Sequence, residues 1–137
     1  LLIKAIATEE IPKNRMIWLG GGTPGEEGYA KNIHIKRAKP GGVPDFVSTR
    51  RIAPGEEILV EINDDDIWKV EAADEVYAGT VVTTAEDGKV KFFQIGDDWD
   101  VGVSLNYALP GETVYVYRRK HGVNPSWVNK VDDAISG

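Results

Sequence analysis

Glu75-Val76-Tyr77-Ala78-Gly79-Thr80-Val81-Val82 and Val103-Ser104-Leu105-Asn106-Tyr107-Ala108-Leu109-Pro110-Gly111-Glu112-Thr113-Val114-Tyr115-Val116 frame the stretch from Glu71 to Tyr117, and both can be laid over earlier sequence. The first echoes Glu10 to Ile17 at an offset of 65 positions (Glu10 to Glu75), and the second echoes Val47 to Val60 at an offset of 56 (Pro54 to Pro110). The earlier copy therefore carries the longer middle. We read a degenerate duplication of one small β unit, with repeat 1 over about 7–62, repeat 2 over about 72–117 and a tail over 118–137.

The pattern inside the copies is that of short strands between turns. Thr80-Val81-Val82-Thr83-Thr84 is β-branched throughout, which suits a pleated surface. Asp87-Gly88 is a hairpin signal, and Val90 to Ile95 returns from it. In the first copy Arg15 to Leu19, Ala30 to Ala38, Phe46 to Ser48 and Ile58 to Ile62 read as strands, and Gly20 to Gly28 reads as a long hairpin loop. Asn14 follows Pro12-Lys13 in a turn where asparagine tolerates left-handed geometry. No stretch before Arg118 keeps a helical period. The expected fold is all-β, a small β-barrel or β-tulip-like sandwich forming a single domain. Trp127, Val128, Val131 and Ile135, after Pro125-Ser126, have the spacing of a short amphipathic C-terminal helix.

The totals narrow the function classes. A chain of 137 residues is long enough to bury one core, whereas two independent halves would each be marginal. With 16 basic against 22 acidic residues the net charge is −6, which disfavours general nucleic-acid binding. A local basic segment remains in Lys31, His34, Lys36, Arg37 and Lys39. The absence of cysteine excludes disulfides, thiolate metal sites and a cysteine nucleophile. No apolar run reaches the length of a membrane span.

Catalytic patterns find no positive support. Asp64-Asp65-Asp66 and the acidic turn Asp97 to Asp100 lack the central glycine and terminal glutamate of a calcium loop, so they read as solvated turns. His34 and His121 each stand alone and read as surface residues. Ser48 and Ser104 occupy equivalent places outside any nucleophile-elbow pattern, and a duplicated serine reads as structural. No catalytic residue, cofactor or metal is expected. Among the aromatics, Trp18 and Trp68 are expected in the core and Trp127 as an intersubunit anchor, while Tyr107, Tyr115 and Tyr117 cluster at the close of the second copy.

The sequence from Glu75 to Val82, then Asp87-Gly88-Lys89-Val90, then Val101 to Val116, resembles capsid decoration or head-stabilising proteins of tailed bacteriophages, a group related to head fibre proteins. The resemblance is close over 72–117 and loose over 7–62. It implies a virion structural protein, non-catalytic and trimeric, that binds the major capsid protein on the outer surface of an expanded head. Bridging neighbouring capsomers would add stability through avidity. The apolar start Leu1 to Ala7, opened by Leu1, Leu2 and Ile3, suits an arm or a first strand, and the resemblance implies that such an arm adds a strand to a capsid-protein sheet. Lys36, Arg37 and Trp127 join that arm as candidate partner-binding residues, with neither direct nucleic-acid nor membrane contact. Two rival readings stand beside it. One is a head fibre or glycan/receptor-binding module with an outward tyrosine patch. The other is a SAF-like β-clip ligand-binding domain, suggested by Tyr77 to Val82.

Overall fold

The computed structural model describes residues 2–61, 66–97 and 99–118, and over these the chain is all-β. Ten strands form two five-stranded sheets. The first half holds β1 (Leu2–Ala7), β2 (Met16–Gly20), β3 (Ile33–Arg37), β4 (Phe46–Val47) and β5 (Glu57–Glu61), in the spatial order β4-β2-β3-β1-β5. The second holds β6 (Ile67–Glu71), β7 (Val81–Thr84), β8 (Val90–Phe92), β9 (Gly102–Ser104) and β10 (Thr113–Tyr117), in the order β6-β10-β9-β7-β8. The expected tail helix lies outside the described residues.

Residues at the two sequence offsets make matching backbone contacts. Ile11 and Ile52 exchange two amide bonds of 2.9 and 2.8 Å, as do Val76 and Ala108 at 2.8 and 2.9 Å. Gly55 donates to Ala7 at 2.8 Å, and Gly111 to Ala72 at 2.9 Å. The parallel pairing of Ala7 with Ile35 has its counterpart in Ala72 with Val90. Turn chemistry explains part of this agreement. Gly55 and Gly111 sit at φ of 78° and 88°, where a side chain would be strained, and each follows a proline that sets the turn. Asn14, with φ of 62°, takes the left-handed place that Gly79 takes in the second half.

Ser48 and Ser104 are the polar pins of the two halves, and both are buried. The Ser48 hydroxyl donates to the Pro12 carbonyl at 2.6 Å and accepts from the Arg15 amide at 3.0 Å. Ser104 does the same with Tyr77 at 2.5 Å and Thr80 at 3.2 Å. A buried hydroxyl persists only with such partners. Their structural reading agrees with this geometry.

Each half has its own apolar core, and Met16 and Ala38 of the first half enter the core of the second beside Val70, Val82 and Val114. Polar contacts add to that join. Asn14 accepts from the Glu71 amide at 2.9 Å, and Arg15 and Lys89 converge on the Glu71 carboxylate at 3.1 and 3.3 Å. The hairpin tip carries Asp87 and Gly88 at φ of 58° and 72°, as an Asp-Gly turn requires. A Cβ on Gly88 would fall 2.5 Å from the Met16 carbonyl, so glycine lets the tip lie on β2.

Two expectations need correction. Trp18 is not a core residue: it is 36% exposed, because its position on β2 faces outward and Lys36 covers its ring at 4.7 Å. The strand from Val90 stops at Phe92, and Ile95 is exposed in the following turn, where the Gln94 amide donates to Asp97 instead of to a neighbouring strand. Of the two readings of the chain start, an arm or a first strand, the segment from Leu2 takes the second. Leu2 to Ile6 pair antiparallel with β5, and Ala5 to Ala7 pair in parallel with β3. Trp68, by contrast, is buried as expected.

Candidate functional site

The two halves differ at one seam. In the second half β9 pairs directly with β10, through Ser104 opposite Val116 and Val103 opposite Tyr117. The Leu105 amide extends this contact by donating to the Tyr115 carbonyl at 2.8 Å. Asn106 then closes it: its side-chain oxygen accepts from the Tyr115 amide at 2.8 Å, and its Nδ2 donates to the Thr113 carbonyl at 3.0 Å. At the same offset, the counterparts of Ser104 and Val116 are Ser48, just after β4, and Val60, on β5. Those strands do not pair, and they form opposite ends of their sheet.

Two residue differences account for the open seam. Gly102 approaches β10 so closely that a Cβ would lie 2.1 Å from the Tyr117 carbonyl oxygen. Phe46 stands in its place in the first half, and its side chain forbids an equal approach. Asn106 is replaced by Arg50, which has no acceptor to offer a strand amide. The Arg50 guanidinium turns instead to Glu56 at 2.6 Å.

The result is an open groove of about 810 Å³ between β4 and β5, floored by the β6 and β10 edge of the second half. Phe46, Ile58 and Ile67 give it apolar walls, Lys13 and Lys69 stand at its rim, and among the described residues no acidic side chain lines it. Leu59 is 67% exposed at its lip. Among the described residues neither Lys13 nor Lys69 forms an ion pair. Lys69 lies over the Tyr115 ring at 5.8 Å.

A second feature is the exposed pair Tyr77 and Tyr107, with ring centroids 5.6 Å apart. Both hydroxyls donate to the Glu75 carboxylate. These bonds hold Glu75 below the usual carboxylate range and push Tyr107 up to about 12. In the first half the corresponding acid is Glu10 and the residue corresponding to Tyr107 is Arg51, and these two form an ion pair at 2.7 Å. The acid is kept while its partner changes from a cation to a tyrosine.

The sequence-derived candidates are dispersed. Leu2 and Ile3 lie on β1, opposite Glu61 and Val60. Lys36 covers Trp18, while Arg37 pairs with Glu9 and with Asp87 at 3.0 Å, joining the halves. The His34 Nδ1 donates locally to the Asn32 carbonyl, 3.0 Å away. Leu1, Trp127 and His121 lie outside the described residues. The groove has no signal of its own in the sequence, being a difference between the two halves, Phe46 against Gly102 and Arg50 against Asn106, and not a pattern they share.

What these features define is a two-lobed all-β module with one closed and one open lobe. The same fold occurs in the N base of the head fiber protein gp8.5 of bacteriophage phi29. The two match with a TM-score of 0.78 at 19% identity, over 90% of this chain and 98% of that one. No protein-family model and no curated protein matches the chain. Among the described residues no group of three or more His, Cys, Asp or Glu is placed to hold a metal ion, and no helix is long and apolar enough to cross a membrane.

Proposed function

We propose that the chain is a non-catalytic structural component of a tailed-phage virion, attached to the outside of the head. The observation that carries this reading is the likeness to a head fiber base over nearly the full length of both chains. Within it, the chain binds the major capsid protein as a trimer and stabilises the expanded head by bridging capsomers. Many weak contacts multiplied by oligomerisation suit a surface that carries an open groove. The exposed Tyr77 and Tyr107 favour a second reading, a head fibre module whose tyrosine face contacts a glycan or receptor.

Purified heads of the parent phage, with and without the protein, provide the test. Co-sedimentation with heads, density on their outer surface, and a lower disruption temperature when the protein is absent are expected. Failure to bind heads overturns the virion reading. Binding to heads without any change in heat resistance removes stabilisation and leaves the fibre module.

A further inference from the structure

We infer that the open seam between β4 and β5 receives an extended, acidic segment of another polypeptide, which adds to β5 as a strand. This goes beyond the virion reading and does not depend on it. The closed half shows what such an edge accepts. There Tyr115 turns its amide and carbonyl toward β9, receiving one bond from Leu105 and giving one to Asn106. Leu59 is the counterpart of Tyr115, opposite Lys4 as Tyr115 is opposite Lys69, so its amide and carbonyl face the seam. Among the described residues no backbone or side-chain bond reaches them from β4.

An unpaired strand edge is a template for β-addition, where backbone bonds give affinity and side-chain pockets give selectivity. The walls supply the pockets. Phe46, Ile58 and Ile67 suit apolar side chains at alternate positions of the incoming strand. Lys13 and Lys69 set its charge, because they form a basic rim that no acid pairs among the described residues, on a chain whose net charge is −6. A polypeptide is favoured over a nucleic acid because the unmet groups are those of a strand, and because the acidic chain repels a long polyanion.

A peptide reproducing residues 100–107, Asp-Val-Gly-Val-Ser-Leu-Asn-Tyr, is the natural probe, since this segment pairs with the equivalent edge in the closed half. Amide hydrogen exchange is followed in the full chain. Saturating peptide is expected to slow exchange at Leu59 by about tenfold or more. Proline at the peptide's leucine, or lysine at its aspartate, is expected to weaken binding. The double variant Phe46→Gly with Arg50→Asn is expected to close the seam, protecting Leu59 without peptide and abolishing binding. Unchanged exchange at Leu59 under saturating peptide overturns the proposal. So does protection of Leu59 in the free wild-type chain, which would mean that the chain covers its own seam. Equal binding of an oligothymidylate without protection of Leu59 reduces the rim to a general anion site and also overturns it.

Discussion

Gly102 lies against the carbonyl of Tyr117 with no room for a side chain: a Cβ would come within 2.1 Å of that oxygen. This approach is what lets β9 pair with β10 and close the second half.

Gly102→Ala is therefore expected to destabilise the chain by about 1–3 kcal/mol, because a backbone oxygen must move to admit the methyl. Chemical denaturation measures the loss. Exchange at Leu105, whose amide donates across the same seam, is expected to rise with it. Unchanged stability and exchange would show that β9 relaxes freely and that the glycine does not control closure.

The two serine pins give an additive pair. Ser48→Ala and Ser104→Ala each leave a partly buried amide and a carbonyl without their hydroxyl partner, at a cost of about 1–3 kcal/mol. They act in different halves and share no partner, so the double variant is expected to lose the sum within about 0.5 kcal/mol. Denaturant midpoints of the four proteins test both statements.

The join between the halves separates a partly buried ion pair from a more exposed one. Glu71→Ala leaves Arg15, whose side chain is 11% exposed, without its carboxylate, and a loss of about 3 kcal/mol is expected. Arg37→Ala removes pairs to Glu9 and Asp87 that are partly exposed, and a loss of about 1 kcal/mol or less is expected. Thermal unfolding of both variants should reproduce that order.

Glu75 and Tyr107 predict a window of pH. The carboxylate titrates below its ordinary 4.5 because both tyrosine hydroxyls donate to it, so its contribution is present above that value and fades as acid protonates it. Tyr107 is raised from 10.0 to about 12 by the same bond, so its contribution holds below 10.0 and is lost as pH climbs through the folded value. Ultraviolet titration of Glu75→Gln should show the Tyr107 transition moving back toward 10.0. An unmoved transition would assign the shift to something other than Glu75.

Much of the strand and turn order was legible before any fold. Pro54-Gly55-Glu56 and Pro110-Gly111-Glu112 act locally: the glycine takes a positive φ, and the glutamate reaches back three residues to the amide of Ala53 or Leu109, at 3.0 and 2.7 Å. Asn14 and Asp87-Gly88 are read in the same way. Trp18 was misplaced because its strand gives no sign of which face it turns outward, and only the cross-strand Lys36 settles that. The candidate site was hardly legible at all. The basic residues singled out, Lys36 and Arg37, are engaged within the chain, while Lys13 and Lys69 gained meaning only through the groove they border.

By itself the sequence determined the all-β class, the turns and the matched positions of Ser48 and Ser104, since each depends on residues close together in the chain. Only the tertiary structure decided that one half closes and the other stays open. That outcome rests on how near β9 comes to the Tyr117 carbonyl and on what Asn106 reaches across the seam. Such distances between remote strands are set by packing, and no local pattern encodes them.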